Sequence, residues 1–138
     1  MKHVIDMAWT DKVAFETEIR GHKLIVDADI ESGGSDLGPP PKRLMLPALA
    51  GCTGMDVIMI LKKMKIEPEA FNVIVEADVT EEHPQHYTKM KLIFQFKGKN
   101  LPMDKLERAV HLSESNYCGV TAVYKKAMDM EIEIKVIE

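Results

Sequence analysis

The feature that most constrains this chain is a nearly uninterrupted apolar run from Leu44 to Leu61, in which Asp56 is the only charged residue. The run predicts a helix with apolar side chains on every face, whereas a helix lying on one sheet needs only an apolar stripe. A membrane-spanning helix needs about 20 predominantly apolar residues, and this run is shorter and contains Asp56 and Thr53. We therefore interpret it as a core helix that requires cover on all sides.

The cover that we expect is a second copy of the chain. The chain has 138 residues, which fits a single domain over residues 1–138 and leaves little protein to surround the helix. We therefore predict an obligate homodimer with this helix at its centre.

The segments around the helix predict an α+β domain with the order β-β-β-α-β-β-α-α-β. Alternation of apolar and polar residues with a period of two indicates strands in the first thirty residues, after Pro68, around Leu92 and at the C-terminus. The run from Glu31 to Pro41 is rich in Ser, Gly, Asp and Pro, which is typical of a mobile connection. Two helices are expected after Leu101 and after Cys118.

Charge and motifs exclude several classes of function. The net charge is −4, and no cluster of Lys or Arg exceeds a pair, which argues against a nucleic-acid partner. The first residues lack the apolar core of a secretory signal, so we expect a cytoplasmic protein without a membrane partner. No phosphate-binding loop, Ser-His-Asp order or dinucleotide fingerprint is present, and no cofactor is predicted.

Two cysteines, Cys52 and Cys118, are the candidates for chemistry. Small residues surround Cys52, which fits either close helix packing or an accessible thiol. If the regular helix begins near Pro47, Cys52 lies in its first turns, where the helix dipole would lower the thiol pKa. Cys118 follows Ser, Asn and Tyr at a predicted helix start. A thiol peroxidase needs one cysteine to attack and one to resolve, but composition alone favours two inert buried cysteines.

Two motifs point to a family. The run from Gly38 to Val57 reads GPPPKRLMLPALAGCTGMDV, and Leu112 to Val120 reads LSESNYCGV. Together they resemble the OsmC/Ohr family, most closely its YhfA-like branch, over nearly the whole chain. The resemblance implies an OsmC-like fold in which long central helices are enclosed by sheets of an intertwined homodimer.

The resemblance also implies an activity. Family enzymes reduce organic hydroperoxides, and here Cys52 would be the peroxidatic and Cys118 the resolving residue, recycled by a dithiol such as a lipoyl-type reductant. The family's Glu ten positions before the first cysteine is replaced by Lys42, and the activating cation would be Arg20 or Arg43. This departure keeps an alternative open, a non-catalytic module that binds a small molecule or senses thiol redox state.

Other titratable residues are given structural interpretations. Asp56 follows Cys52 by one helical turn and would raise its pKa. We expect its charge to be neutralised by a cation or hydrogen-bonded across the dimer. His83 and His86 fall in a hairpin loop without further ligands, so no metal site is predicted.

Overall fold

The computed structural model describes Met1–Glu138, and its elements follow the predicted order, which confirms the α+β fold. The strands are β1 Ala8–Asp11, β2 Ala14–Ile19, β3 His22–Val26, β4 Ala70–Val79, β5 Tyr87–Lys97 and β6 Asp129–Ile137. The helices are α1 Met45–Lys63, α2 Met103–Leu112 and α3 Gly119–Tyr124. The chain divides into two compact units, Met1–Met45 and Leu46–Glu138. Whether residues 1–138 form one domain stays a prediction.

The first unit contains the antiparallel meander β1-β2-β3. Arg20 and Gly21 form the tight turn between β2 and β3, both at positive φ. The alternation predicted these strands, but the large apolar side chains on β2 are not buried in the chain. Phe15 and Ile19 are exposed, and the small residues Ala14 and Thr17 are buried instead.

The predicted mobile connection after β3 is a wrong expectation, because the segment is hydrogen-bonded back onto the end of β3. Asp27 is buried, and its carboxylate accepts backbone N–H bonds from Ala28 at 2.7 Å, Leu37 at 3.1 Å and Ser35 at 3.2 Å. These donors, that of Leu37 foremost, lower the pKa of Asp27 against the opposing effect of burial. One carboxylate thus organises the loop.

Two glycines of this loop are required by close backbone approach. A Cβ on Gly34 would lie 2.1 Å from the carbonyl oxygen of Ala28, and a Cβ on Gly38 would lie 2.1 Å from that of Ile25. Both contacts are with backbone, which cannot yield as a flexible side chain can. The glycines therefore serve an ordered loop rather than a flexible one.

The second unit is built on the sheet β4-β5-β6, in which β4 and β5 are antiparallel and β5 and β6 are parallel. The predicted alternation on β5 is confirmed: Met90, Leu92, Phe94 and Phe96 are all buried. The opposite face carries the ion pairs Lys89–Glu131 at 2.7 Å and Lys91–Glu133 at 3.3 Å. The sheet therefore has one core face and one charged face.

Helix α1 begins at Met45 after a turn of 3₁₀ helix, Pro41–Leu44, so Pro47 stands in its first turn, where proline is tolerated. Within the chain it buries only the stripe Leu49, Thr53, Val57 and Leu61. By length and composition alone the segment Pro41–Lys63 could cross a membrane, a property that core helices share.

The role of the loop carboxylate can be tested by pH. Asp27→Asn removes an acceptor for backbone donors, so we expect a lower thermal midpoint near neutral pH. Because the folded pKa of Asp27 lies below its ordinary value of 3.8, its contribution is present above pH 3.8 and is lost as the pH falls through the folded pKa. The difference between wild type and variant, followed by circular dichroism, should therefore shrink in strong acid.

The matched control is Asp36→Asn, since Asp36 is an exposed carboxylate of the same loop without a side-chain hydrogen bond. This control should unfold like the wild type at every pH. Equal destabilisation by both substitutions would contradict the assignment of Asp27 as the organising residue.

Candidate thiol site

The structure places the two cysteines at different kinds of helix position. Cys52 is half-buried and lies a little more than two turns into α1. Cys118 is buried, with 2% of its surface exposed, and stands immediately before α3, as the sequence predicted. Both are free thiols.

The fold brings these thiols together, which sequence spacing could not show. The Sγ atoms of Cys52 and Cys118 and a carboxylate oxygen of Asp56 all lie within 4.8 Å of one another. Cys52 and Asp56 are one turn apart on α1, and Cys118 comes from the C-terminal part of the same unit. The site therefore consists of two thiols and one carboxylate.

A π-helical turn, Ser113–Tyr117, sets the position of Cys118 between α2 and α3. The backbone N–H of Cys118 donates to the carbonyl oxygen of Ser113 at 2.8 Å, which closes the turn. The backbone N–H of Thr121 then donates to the sulfur of Cys118 at 3.4 Å. Such turns are rare and occur often at functional sites. Here the turn fixes both the backbone and the sulfur.

A buried hydroxyl connects this turn to α1. Ser113 Oγ donates to Asp56 Oδ2 at 2.9 Å and lies 2.8 Å from Thr53 Oγ1. Because a hydroxyl has one proton, and that of Ser113 is given to Asp56, Thr53 is the donor in the second bond. Asp56 therefore has a partner in its own chain, a serine hydroxyl, where a cation or a bond across the dimer was expected.

Sequence reasoning missed Ser113 and Thr53. Both stand inside the motifs that carry the two cysteines, and that position was the available signal. Ser113 is fully buried and Thr53 is 2% exposed. Their hydroxyls gain partners only when the two motifs meet.

Burial raises the pKa of the Cys52 thiol. A hydrogen bond with Cys118 and the charge of Asp56 raise this pKa further, and a bond from the backbone N–H of Val120 opposes them. The expected lowering by the helix dipole was wrong. Free N–H groups lie in the first turn of a helix, and Cys52 is beyond the second. The predicted effect of Asp56 is confirmed.

A second group next to the thiols is a tyrosine. Burial raises the pKa of Tyr124, and Cys118 and Tyr87 add to the effect. Its phenol therefore stays protonated at neutral pH.

A cavity of about 220 Å³ adjoins the site inside the second unit. The cavity is lined by apolar side chains of the sheet, by two threonines that neighbour the cysteines, and by one acidic and one basic residue: Leu92, Phe94, Met130, Ile132, Thr53, Thr121, Glu114 and Lys125. The cavity is large enough for a small apolar group.

The cationic candidates lie in the first unit. Arg20 is exposed in the turn between β2 and β3, and Arg43 is exposed in the 3₁₀ turn before α1, next to Lys42. The groups that shift the pKa of Cys52 include no Lys or Arg. The roles of Arg20 and Arg43 stay predictions.

Comparison with known proteins gives the chain a family. The family model described as OsmC-like protein matches residues 33–133. Protein YhfA of Escherichia coli K12 is 29% identical over 130 residues, which cover 94% of each chain. A hypothetical protein from Aquifex aeolicus VF5 superposes with a TM-score of 0.85 at 25% identity, covering 99% of this chain and 98% of its own.

A more distant structure shares the fold. It is the organic hydroperoxide resistance protein OsmC of Legionella pneumophila, with a TM-score of 0.68 at 16% identity and coverage of 99% of this chain and 98% of its own. The resemblance expected from the two cysteine motifs is thereby confirmed, and the chain belongs to the OsmC-like family.

Proposed function

We propose that the protein is a thiol peroxidase that reduces organic hydroperoxides through Cys52 and Cys118. The observation that carries this proposal is the approach of the two sulfur atoms to within 4.8 Å. The two cysteines come from separate motifs that are distant in the sequence, and they meet only in the folded chain. A disulfide bond would require the two sulfurs to approach to about 2.0 Å.

The proposed reaction has three steps. The Cys52 thiolate attacks the distal oxygen of the hydroperoxide, the O–O bond breaks, and the alkoxide leaves and takes up a proton as an alcohol. The Cys118 sulfur then attacks the Cys52 sulfenic acid, which forms the disulfide and releases water. An external dithiol, such as a lipoyl-type compound, reduces the disulfide by exchange and is itself oxidised.

Several features support this mechanism. Cys118 is buried, so its sulfur is protected from bulk oxidants and is available to the sulfenic acid beside it. The adjoining cavity offers four apolar side chains of the sheet for contact with the organic group of a substrate, and Lys125 also lines it. The Legionella relative, which has the same fold, is described as an organic hydroperoxide resistance protein. Arg20 or Arg43 is our candidate for the cation that activates the thiolate, and the cytoplasm is the expected compartment.

One observation favours a second function. Burial, Cys118 and Asp56 together raise the pKa of Cys52, which reduces the thiolate available at neutral pH. Lys42 also replaces the Glu of the family's peroxidases. A raised Cys52 pKa and the loss of this Glu are both expected of a family member that keeps the fold without catalysing peroxide reduction. Such a protein would bind a small apolar molecule or sense the redox state of thiols.

We also propose that the active form is a homodimer. Helix α1 exposes a continuous apolar surface opposite its buried stripe, including Met55 at 68%, Met59 at 58% and Ile58 at 41% exposure. Large apolar patches of this kind mark interaction surfaces. A second copy of α1 would cover it.

The peroxidase proposal predicts a disulfide between Cys52 and Cys118. The reduced protein, treated with one equivalent of cumene hydroperoxide, should form this bond faster than free cysteine is oxidised under the same conditions. Peptide mass spectrometry against time, with a parallel assay of remaining hydroperoxide, measures both. If the peroxide is not consumed and both thiols stay free, the peroxidase proposal is wrong and the binding or sensing function is favoured.

Single substitutions distinguish the peroxidatic role of Cys52 from the resolving role of Cys118. Cys52→Ser should abolish peroxide consumption, because no peroxidatic thiol remains. Cys118→Ser should consume one equivalent and stop at a Cys52 sulfenic acid that dimedone traps. Consumption that survives in Cys52→Ser would contradict the assigned order.

The raised pKa predicts an alkaline pH profile. The rate of the first step should keep rising past pH 8.5 or so, the pKa of an ordinary thiol, because the thiolate fraction is still growing. Asp56→Asn removes a negative charge that raises the pKa, and its amide oxygen can still accept from Ser113. The pH profile of Asp56→Asn, measured by stopped flow in the presence of a chelator, should therefore lie at lower pH than that of the wild type, with a faster first step at neutral pH.

Asp104→Asn is the control for this profile, since Asp104 is an exposed carboxylate in the first turn of α2. It should leave the profile unchanged. A profile that stays in place or moves to higher pH in Asp56→Asn would refute the electrostatic role of Asp56.

The dimer proposal predicts a change of mass on charging the exposed face of α1. Met55→Lys should give a chain mass near 15.6 kDa, where wild type gives twice that value, because a buried lysine without a partner is costly. Light scattering after size exclusion measures both. Met103→Lys, on an exposed methionine of α2, is the control and should remain dimeric; a monomeric wild type would overturn the proposal.

A further inference from the structure

The thiol site is also a set of metal ligands. Zn²⁺ takes thiolate and carboxylate ligands, and its non-structural sites have three protein ligands with the fourth position open to water. Cys52, Cys118 and Asp56 supply two sulfurs and one oxygen within 4.8 Å of one another. We propose that the reduced protein binds one Zn²⁺ ion per chain through these three residues, with water as the fourth ligand.

The distances suit a tetrahedral ion. Bonds of about 2.3 Å to sulfur and about 2.1 Å to oxygen place tetrahedral ligand atoms about 3.6–3.8 Å apart. The ligand atoms of the cluster all lie within 4.8 Å of one another, so their separations exceed this by at most about 1 Å. Rotation of side chains on an unchanged backbone closes such a gap.

The surroundings resemble those of a metal site. Ligand carboxylates are usually held by a further hydrogen bond, and Asp56 Oδ2 accepts from Ser113 at 2.9 Å, with Thr53 behind it. This leaves Asp56 Oδ1 for the ion. Backbone N–H groups of Thr121 and Val120 are directed at the sulfurs of Cys118 and Cys52, where they would support thiolate ligands.

The charge of the Cys52, Cys118 and Asp56 cluster and its exposure also favour binding of a cation. Asp56 makes no ion pair within the chain, and its carboxylate lies beside two thiols. Cys118 is buried, but Cys52 and Asp56 are half-buried, so the cluster is not fully enclosed by its own chain. A dication would offset two of the three negative charges that the carboxylate and the two thiolates carry together.

The two hairpin histidines do not offer a comparable site. His83 and His86 are exposed, and Nδ1 of His86 lies 2.9 Å from the carbonyl oxygen of Pro84. They supply two ligands on an exposed loop, short of the three or four that a zinc site needs. They therefore provide an internal control.

This inference goes beyond the proposed function, because binding requires only reduced thiols and no peroxide. If both proposals hold, metal binding and oxidation exclude one another. Two thiolates and one hydroperoxide, with two protons, give the disulfide, an alcohol and water, and the ion loses both sulfur ligands and is released. Zinc would then protect the reduced site.

Titration with Co²⁺ under argon tests the site, with full-length protein that has been reduced and stripped of metal by a chelator. We expect a sulfur-to-cobalt charge-transfer band that saturates at one ion per chain and disappears when Zn²⁺ is added. The same protein with the Cys52–Cys118 disulfide formed by an oxidant such as diamide should show no band. That comparison needs no substitution, so it does not depend on a variant that folds.

Two variants test whether Asp56 is the third ligand: Asp56→Asn removes the proposed ligand, and a double histidine variant is the control. Changes outside the first ligand shell already cost about 10–100-fold in metal affinity, so Asp56→Asn should bind Co²⁺ at least about tenfold more weakly. His83→Ala/His86→Ala should bind like wild type. No charge-transfer band in the reduced protein, unchanged affinity in Asp56→Asn, or loss of the band in the double histidine variant would each overturn the proposal.

Discussion

The hydroxyl of Ser113 is the contact on which the arrangement of the site depends. It joins the carboxylate of Asp56 on α1 to the turn that carries Cys118, and it is supported by Thr53. The bond between Thr53 and Ser113 is buried and that between Ser113 and Asp56 is partly buried, and loss of a buried partner costs about 1–3 kcal/mol. Because the carbonyl of the same serine receives the N–H of Cys118, one residue fixes both the helix and the thiol that meets it.

The same arrangement disfavours formation of the Cys52 thiolate. A carboxylate and a second sulfur stand beside Cys52 in partly desolvated surroundings, and each of these disfavours the thiolate. An efficient peroxidatic thiol needs the opposite, usually from a nearby cation. A peroxidatic Cys52 would therefore need positive charge nearby, and Lys125, which lines the adjoining cavity, an arginine, a bound ion or a partner chain are the sources that chemistry offers.

Regular elements could be predicted from the sequence because their signals are local. The alternation of Met90, Leu92 and Phe94 predicts β5 without information from other segments. The lysines after Leu61 likewise mark the end of α1. The role of Ser113 and the meeting of the thiols could not be predicted, because they arise only when distant segments pack. The order of the loop at Asp27 could not be predicted for a related reason. Its glycines are typical of a flexible segment, and only the folded chain shows the close backbone contacts that require them.

Asp56 has opposite consequences for the two kinds of chemistry proposed here. As a neighbouring charge it makes the Cys52 thiolate scarcer, which slows attack on a peroxide. As a ligand it completes a site for a dication, and the dication would in turn favour deprotonation of both thiols. If turnover alone had shaped the site, an uncharged residue one turn after Cys52 would serve better. A carboxylate held in place by Ser113 is easier to explain where the reduced thiols spend time bound to a metal ion.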